Sequence, residues 1–208
     1  MKLWSHSFKE GQAIPTAYAM GTSDPKNHAR FSDNQNPHLA WEEIPQHTQS
    51  LVLIFHDKSA PTQADDVNKS DRLVPADLAR GNFYHWVLVD IPPTLKEITA
   101  GSHSHSVHPK GKQGPQAPDG MRHGLNNYTQ WFEGDESMQG QYFGYDGPFP
   151  PWNDSLIHHY CFTLYALDIP RLPVEGNFDA TEVLKAMEGH VLAKAQLHGT
   201  YTINSQAQ

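Results

Sequence analysis

The sequence predicts a mainly β protein built as a two-layer sandwich of antiparallel sheets. Two short apolar runs, residues 50–55 and 84–90, are typical of buried strands. Residues 158–167 alternate between two faces along a longer strand. Gly and Pro are plentiful, at 15 and 16 residues, and one segment alone has helical spacing. Because strands of this kind need a second layer to cover them, a sandwich is expected.

The first two strands lie on either side of a long polar connection. Residues 50–55 form a continuous apolar run bounded by polar residues, as expected of a strand covered on both faces. Residues 84–90 predict a second strand, which Pro92 and Pro93 end. Near the end of the chain, residues 199–203 predict a closing strand.

Residues 158–167 form the longest predicted strand, and their alternation assigns each side chain to a face. His158 and Tyr160 share one face, whereas His159 and Cys161 lie on the other. Cys161 is the single cysteine and cannot form an internal disulfide. We expect it to be buried and unreactive.

Helical spacing occurs in residues 181–197. Asp179 and Glu182 predict a capping box, and Gly199 stands where a helix is expected to stop. Because Gly189 lies in the middle of this segment, two short helices are the alternative to a single one. The apolar residues of the predicted face follow the spacing i, i+4, i+8: Val183, Leu184, Met187, Val191 and Ala195.

The chain is expected to form one domain over residues 1–208, with long connections over residues 62–81 and 101–143. Connections beyond about 12–15 residues are usually functional or mobile. The sequence leaves open whether these two cover a site or decorate the surface.

Charge and hydropathy exclude several function classes. Lys and Arg number 15 against 23 Asp and Glu, giving a net charge of −8, and no basic stripe exists for nucleic acid. No stretch approaches the about 18 apolar residues of a membrane span, and the chain starts without an apolar leader. We therefore expect a soluble, cytoplasmic protein.

Four features could carry chemistry. The Gly/Pro-rich segment 144–154 is either a rigid cap on the core or a preformed pocket wall. His158 and Tyr160 could both donate hydrogen bonds to an anionic oxygen. His85 shares a predicted strand face with Val87 and Val89, so it should point inward, as a core residue or a ligand. Asp57, after the first buried run, is either a turn former or part of a site.

Taken in order, these motifs resemble the phosphatidylethanolamine-binding protein family, also called the Raf kinase inhibitor-like family, in its bacterial YbhB/YbcL type. The resemblance covers residues 8–203. The motifs that carry it are Asp57…Pro61, His85-Trp86, Gly147-Pro148-x-Pro150-Pro151 and His158-x-Tyr160.

The resemblance implies a β-sandwich with short C-terminal helices and an anion pocket at one end. The pocket would take phosphate, phosphoethanolamine, a phospholipid headgroup or another phosphorylated or carboxylated group. It also implies a regulatory or inhibitory role, a protein kinase or protease as partner, and a homodimer. The ligand-binding residues it implies are Asp57, Pro61, His85, Gly147, Pro148, Phe149, Pro150, His158 and Tyr160.

Three departures from the family pattern concern this pocket. The first motif usually reads Asp-Pro-Asp-Ala-Pro, whereas here Lys58 and Ser59 follow Asp57, so a second carboxylate is lost. Lys58 should make the rim more favourable to anions. Phe149 stands where bacterial relatives often carry cysteine and could narrow the entrance, and His159 replaces the usual arginine.

The alternative is an enzyme, in which Asp57, His85 and His158 would form a two-histidine, one-carboxylate metal triad or serve hydrolysis. No local spacing supplies carboxylates to orient both imidazoles, and Cys161 faces away from His158. The histidines of residues 103–108 offer a surface metal site or only a polar linker. Mostly because of the resemblance, a binding protein without catalytic residues, metal or cofactor is favoured.

Overall fold

Strands dominate the structure, a computed structural model that describes residues 1–208. Two single 3₁₀ turns, Thr16–Tyr18 and Pro118–Gly120, and two short α-helices interrupt them. In chain order the strands and helices are β1 Lys2–Trp4, β2 Gly21–Asp24, β3 His28–Phe31, β4 Leu39–Glu42, β5 Ser50–Pro61, β6 Arg80–Ile91, β7 Glu97–Ile98, β8 Gly111–Lys112, β9 Arg122–His123, α1 Tyr128–Trp131, β10 Gln141–Tyr142, β11 His158–Leu167, α2 Ala180–Ala186 and β12 Val191–Tyr201.

Two antiparallel sheets form the sandwich. The larger has five strands in the order β12-β11-β5-β6-β9, and the smaller has three in the order β1-β4-β7. Strands β2 and β3 form a hairpin, and the short pair β8 and β10 is parallel. The predicted mainly β, antiparallel architecture is confirmed.

The larger sheet has a hydrophobic core on each face. The main core, with 22 buried residues, lies between the two sheets; Leu39 and Trp41 of β4 reach it from one side, and Phe55 and Phe162 from the other. The second core has 11 buried residues on the opposite face, where Val183 of α2 is among them. Because both faces are covered, the central strand β5 is apolar from Leu51 to Phe55, as the sequence indicates.

The predicted faces of β11 are confirmed. Tyr160 and Phe162 lie in the main core, whereas Leu167 lies in the second core. His158 is buried and His159 is exposed. Cys161 is buried, with its thiol beside Thr163 Oγ1 at 3.4 Å.

The helix predicted over residues 181–197 is wrong in its second half. The capping box is present, since the Asp179 carboxylate accepts from the Glu182 backbone and the Glu182 side chain accepts from the Asp179 backbone. However, α2 ends at Ala186, Gly189 adopts a positive φ of 81°, and the chain then turns into β12. Strand β12 pairs with β11 over its whole length, so Gly199 lies within a strand and stops no helix.

A β-bulge changes the face that His85 presents. Phe55 pairs with Trp86, but the next residue of β5, His56, pairs with Tyr84, so β6 carries one extra residue here. His85 is that residue.

The bulge turns His85 towards the main core. Its ring lies 5.2 Å from that of Phe55 and 5.5 Å from that of Tyr160, centroid to centroid. The prediction that His85 points inward is confirmed, but the prediction that it shares a face with Val87 and Val89 is wrong, because both valines lie in the second core.

The second long connection, residues 101–143, contains β8, β9, α1 and β10. Side-chain amides hydrogen-bond it to the rest of the protein. Asn36 Oδ1 accepts hydrogen bonds from the backbone N–H groups of His103 and Ser104, at 2.7 and 3.0 Å.

Neither α-helix has the length and apolar content needed to cross a lipid bilayer.

Candidate functional site

A cavity of about 380 Å³ opens at the end of the larger sheet where Asp57 of β5 and Tyr160 of β11 lie side by side. Asp57, His85, His158 and Tyr160 form its polar floor. The walls are largely apolar, and Phe31 and Trp131 are partly exposed to solvent. The other large wall residues include Val67, Phe83, Phe132, Met138, Phe149 and Pro150.

The structure brings together seven of the nine residues named from the sequence. Gly147 and Pro148 do not line the cavity. Their backbone groups hold the loop in place. The Gly147 N–H donates to Asn34 Oδ1 at 2.8 Å, and its carbonyl accepts from the Tyr128 hydroxyl at 2.9 Å. The residues that reach the cavity are Asp57, Pro61, His85, Phe149, Pro150, His158 and Tyr160.

Phe149 forms its part of the wall because Gly21 of β2 leaves room for the ring. A Cβ atom at Gly21 would lie 2.1 Å from Phe149 Cδ2, closer than any real contact. The Pro148 carbonyl accepts from the backbone N–H groups of Met20 and Gly21 and keeps the loop against β2. The Gly/Pro-rich segment is therefore both a brace and a wall.

His158 has a carboxylate at each ring nitrogen. Nδ1 lies 2.6 Å from Asp57 Oδ2, and Nε2 lies 2.9 Å from Asp154 Oδ2. Carboxylate oxygens only accept hydrogen bonds, so both nitrogens must carry a proton and the ring is an imidazolium. Burial disfavours this charge, but the hydrogen bonds that His158 donates to Asp154 and Asp57 outweigh it and raise the pKa of His158 to about 9.

Arg80 extends this arrangement. Its guanidinium forms a bidentate ion pair with the Asp154 carboxylate, with Nη1–Oδ2 and Nη2–Oδ1 distances of 2.6 and 3.0 Å. Burial opposes the charge of Asp154, but hydrogen bonds from His158 and Arg80 lower its pKa. The chain Arg80–Asp154–His158–Asp57, called the charge relay line below, holds two cations and two anions.

His85 has a different environment. Its Nδ1 lies 2.9 Å from the Asp146 carbonyl oxygen, which can only accept, so Nδ1 carries the proton. No protein group is bonded to Nε2, which therefore offers a lone pair to the cavity. Burial lowers the pKa of His85 to about 4, although the nearby charge of Asp57 acts in the opposite direction.

The carbonyl that orients His85 belongs to a fixed residue. The buried Asp146 carboxylate accepts from the side-chain amides of Asn34 and Asn126 at 2.7 and 2.8 Å. Lys112 Nζ lies 3.0 Å from Asp146 Oδ1, and burial lowers the pKa of this lysine. The His85 tautomer is therefore set by a rigid neighbour.

Tyr160 supplies a free hydrogen-bond donor. Its hydroxyl is buried and has no hydrogen-bond partner. Tyr160 itself lines the cavity and is the strand neighbour of Asp57. Burial and the nearby Asp57 raise the pKa of this phenol well above its ordinary value, so it keeps its proton. An unsatisfied buried hydroxyl is costly unless something binds to it.

Sequence reasoning missed Asp154 and Arg80. The claim that no local spacing supplies an orienting carboxylate is wrong for His158, because Asp154 lies four residues before it. The sequence signal for Asp154 was its position four residues before His158. Nothing in the sequence pointed to Arg80. Lys58 does not line the cavity; its Nζ lies 3.5 Å from His198 Nε2.

No three His, Cys, Asp or Glu side chains are grouped closely enough to hold a metal ion. His158 has no free nitrogen with which to join Asp57 and His85 in a triad. In the histidine-rich loop, His103 Nδ1 lies 3.0 Å from His123 Nε2 and His108 Nε2 lies 3.0 Å from Ser106 Oγ, so these rings serve local contacts.

Sequence comparison places the chain among known proteins. The family profile described as phosphatidylethanolamine-binding protein matches residues 4–202. A protein of Methanothermobacter thermautotrophicus named UPF0098 is 32% identical over 201 residues, which cover 97% of this chain and 98% of the relative. The UPF0098 protein YbhB of Escherichia coli is 26% identical, and the alignment covers 97% of this chain and 100% of YbhB.

Two solved structures share the fold. Escherichia coli YbcL, described as a new member of the mammalian PEBP family, superposes with a TM-score of 0.69 at 23% identity and 98% coverage of both chains. A PEBP homolog from Chlamydia trachomatis superposes with a TM-score of 0.63 at 26% identity, covering 96% of this chain and 95% of its own. Since the profile and the relatives cover nearly the whole chain, the protein belongs to the phosphatidylethanolamine-binding protein family.

Proposed function

We propose that this protein binds a small ligand bearing a phosphate or carboxylate group, and that it is a binding protein with no catalytic role. The observation that carries the proposal is the unpartnered, buried hydroxyl of Tyr160, a residue of the cavity floor whose ring lies 5.5 Å from that of His85, centroid to centroid. A ligand oxygen accepting from Tyr160 would satisfy the buried phenol.

The walls extend the proposal to ligands with an apolar part. Aromatic and aliphatic side chains surround the floor, and a cavity of about 380 Å³ lies within the range that holds small organic ligands. A phospholipid headgroup or a phosphorylated group with a short apolar substituent fits a polar floor surrounded by apolar walls. The family to which the chain belongs is described by phosphatidylethanolamine binding, which supports the same class.

A catalytic role finds no support in the side chains of the floor. A histidine general base needs an unprotonated ring nitrogen, which His85 has and His158 lacks, but the floor offers no serine, threonine or cysteine for His85 to activate. Cys161, the one thiol, lies on the face of β11 away from the cavity. The enzyme alternative therefore lacks a nucleophile paired with a base.

The family resemblance extends the proposal to a regulatory or inhibitory role. A protein kinase or protease would be the partner, and a homodimer the assembly. These extensions rest on the resemblance alone and use none of the geometry of the cavity.

The experiment is calorimetric titration of phosphoethanolamine into the wild type and a Tyr160→Phe variant, with His103→Ala as the matched control outside the cavity. Removing the hydroxyl should weaken binding about ten-fold or more, the usual effect of losing a hydrogen bond to a charged group. His103→Ala should bind as the wild type does. No binding by the wild type, or equal binding by Tyr160→Phe, contradicts the proposal.

A further inference from the structure

We propose that the ligand's acidic group is bound in a protonated state, with one proton shared between a ligand oxygen and Nε2 of His85. At neutral pH the complex then holds one proton more than the free protein and the free ligand together. This inference rests on the proposed function, since it specifies how the same floor recognises its ligand.

The floor of the cavity holds no uncommitted cation. The His158 imidazolium donates both N–H groups to Asp57 and Asp154, and Arg80 is paired with Asp154. The charge relay line is neutral overall, and its end at the cavity is the Asp57 carboxylate. A fully ionised oxyanion would therefore enter a buried site that faces it with a negative group and no free positive one.

Hydrogen-bond direction at His85 also requires a proton between the ring and the ligand. The Asp146 carbonyl fixes the proton on Nδ1, so Nε2 is an acceptor. An ionised ligand oxygen is also an acceptor, and two acceptors repel unless a proton lies between them. Tyr160 can donate one hydrogen bond, but it cannot also serve the contact between the ligand and His85.

The surroundings of His85 keep the free ring neutral. Its pKa is lowered to about 4, chiefly by burial, so at neutral pH the proton must arrive with the ligand or from solvent. A bound anion favours the protonated pair and raises its pKa. The titratable groups that face the ring from neighbouring elements are Asp57 and His56 on β5, Tyr128 on α1, Asp146 in the following loop, and His158 and Tyr160 on β11.

The chemical class that follows is an oxyacid able to retain a proton, either a phosphate monoester or a carboxylic acid. A sulfate monoester of the same shape is much less basic and should bind more weakly at the same pH. The proton comes from the buffer, and no covalent bond is made or broken. Methyl phosphate and acetate therefore serve as probes for the phosphate monoester and the carboxylic acid. Methyl sulfate is the probe for the disfavoured anion.

The test is calorimetry at about pH 8, where a phosphate monoester with a second pKa near 6 is a dianion. Titrations of methyl phosphate and of acetate in buffers of different ionisation enthalpy count the protons taken up per bound ligand. The wild type should take up close to one proton with whichever probe binds, and methyl sulfate should bind at least ten-fold more weakly than methyl phosphate.

Two variants locate the proton, and their melting curves verify folding. Tyr160→Phe removes a donor but no titrating group at this pH, so it should bind more weakly with an unchanged proton count. His85→Gln should bind with a proton count near zero, because an amide can donate to an ionised oxygen without taking up a proton.

The outcomes separate this inference from the proposed function. Binding by the wild type without proton uptake, or unchanged uptake in His85→Gln, overturns the inference and leaves the proposed function standing. Equal affinity for methyl sulfate and methyl phosphate also overturns it. No binding of either oxyacid by the wild type removes the proposed function and the inference together.

Discussion

The two histidines at the floor of the cavity are equally hidden from solvent but differ in charge. The exposed fractions of His158 and His85 are 1% and 3%. Burial opposes protonation of both, yet the pKa of His158 is about 9 and that of His85 about 4. The difference comes from the partners, since two carboxylates bond to His158 and one backbone carbonyl to His85. Partner chemistry therefore decides the charge of a buried imidazole.

This contrast divides the floor into a fixed half and an adaptable half. The charge relay line places Asp57 and has no unused donor at His158. His85 Nε2 and the Tyr160 hydroxyl have no hydrogen-bond partner in the protein. Substitutions in the first half should act on stability, whereas those in the second should act on binding.

The largest effect is expected for Asp154→Ala. This change leaves Arg80 and His158 buried with too little negative charge, and breaking a buried ion pair on one side typically costs about 3–5 kcal/mol. Urea denaturation should show this loss in the free energy of unfolding. Asp71→Ala is the control, because Asp71 pairs with Arg72 at the exposed surface and its removal should change stability little. Similar losses in both variants would contradict a special role for the buried line.

The next largest effect concerns stability at alkaline pH. The pKa of His158 is raised from 6.5 to about 9 in the folded protein, so its contribution is complete below pH 6.5 and is lost as pH rises through 9. The two pKa values correspond to about 3 kcal/mol of stability. Urea denaturation at several pH values across this window should show the decline.

A His158→Gln variant assigns that decline. Glutamine cannot titrate, so the free energy of unfolding of the variant should be lower near neutral pH and nearly flat across the window where the wild type declines. A wild type whose stability does not change over this window, or a variant that declines as steeply, would contradict a charged His158.

A smaller effect of opposite pH dependence is expected for His85→Gln. Four histidines have lowered pKa values, about 4 for His56, His85 and His103 and about 3 for His123. Their unfolded forms bind protons that the folded forms exclude, so stability falls as pH drops from 6.5 towards 4.

Replacing one of these histidines should make the acid decline shallower. At neutral pH the variant also loses the hydrogen bond from Nδ1 to the Asp146 carbonyl, at a cost of about 1 kcal/mol. Urea denaturation at neutral and mildly acidic pH measures both changes. An acid decline as steep as that of the wild type would show that His85 titrates normally.

The smallest effect on stability is expected for Tyr160→Phe. The hydroxyl has no protein partner, so its removal breaks no hydrogen bond and should change the free energy of unfolding by less than about 1 kcal/mol. Thermal and urea denaturation measure this change, and a large loss would mean that the hydroxyl has a structural partner. Together with weakened ligand binding, an unchanged stability separates the adaptable half of the floor from the fixed half.

Sequence reasoning predicted the fold where local pattern and tertiary structure agree. The alternation of β11 assigned its faces correctly because each face meets a separate core. The same reasoning failed after Ala186, where Val191 and Ala195 fit a helical face by spacing but lie in β12. Pairing along the whole of β11 overrides that local spacing.

The site was predicted less completely for two physical reasons. A β-bulge adds one residue to β6 and moves His85 to the other face, and periodicity alone cannot show such an insertion. The charge relay line joins Arg80 of β6 to Asp154, 74 residues later in the chain. Contacts of this range depend on the folded topology, so the sequence could name His158 and Asp57 but not the state of charge they share.

We conclude that His158 is a committed imidazolium, whereas His85 is neutral with a free Nε2. Nitrogen-15 NMR of the histidine side chains in the wild type, near pH 7.5, tests it directly, with His158→Gln and His85→Gln assigning the signals. The account predicts that both ring nitrogens of His158 carry protons and that only Nδ1 of His85 does. A neutral His158 ring, or an His85 ring protonated at both nitrogens in the free protein, would contradict it.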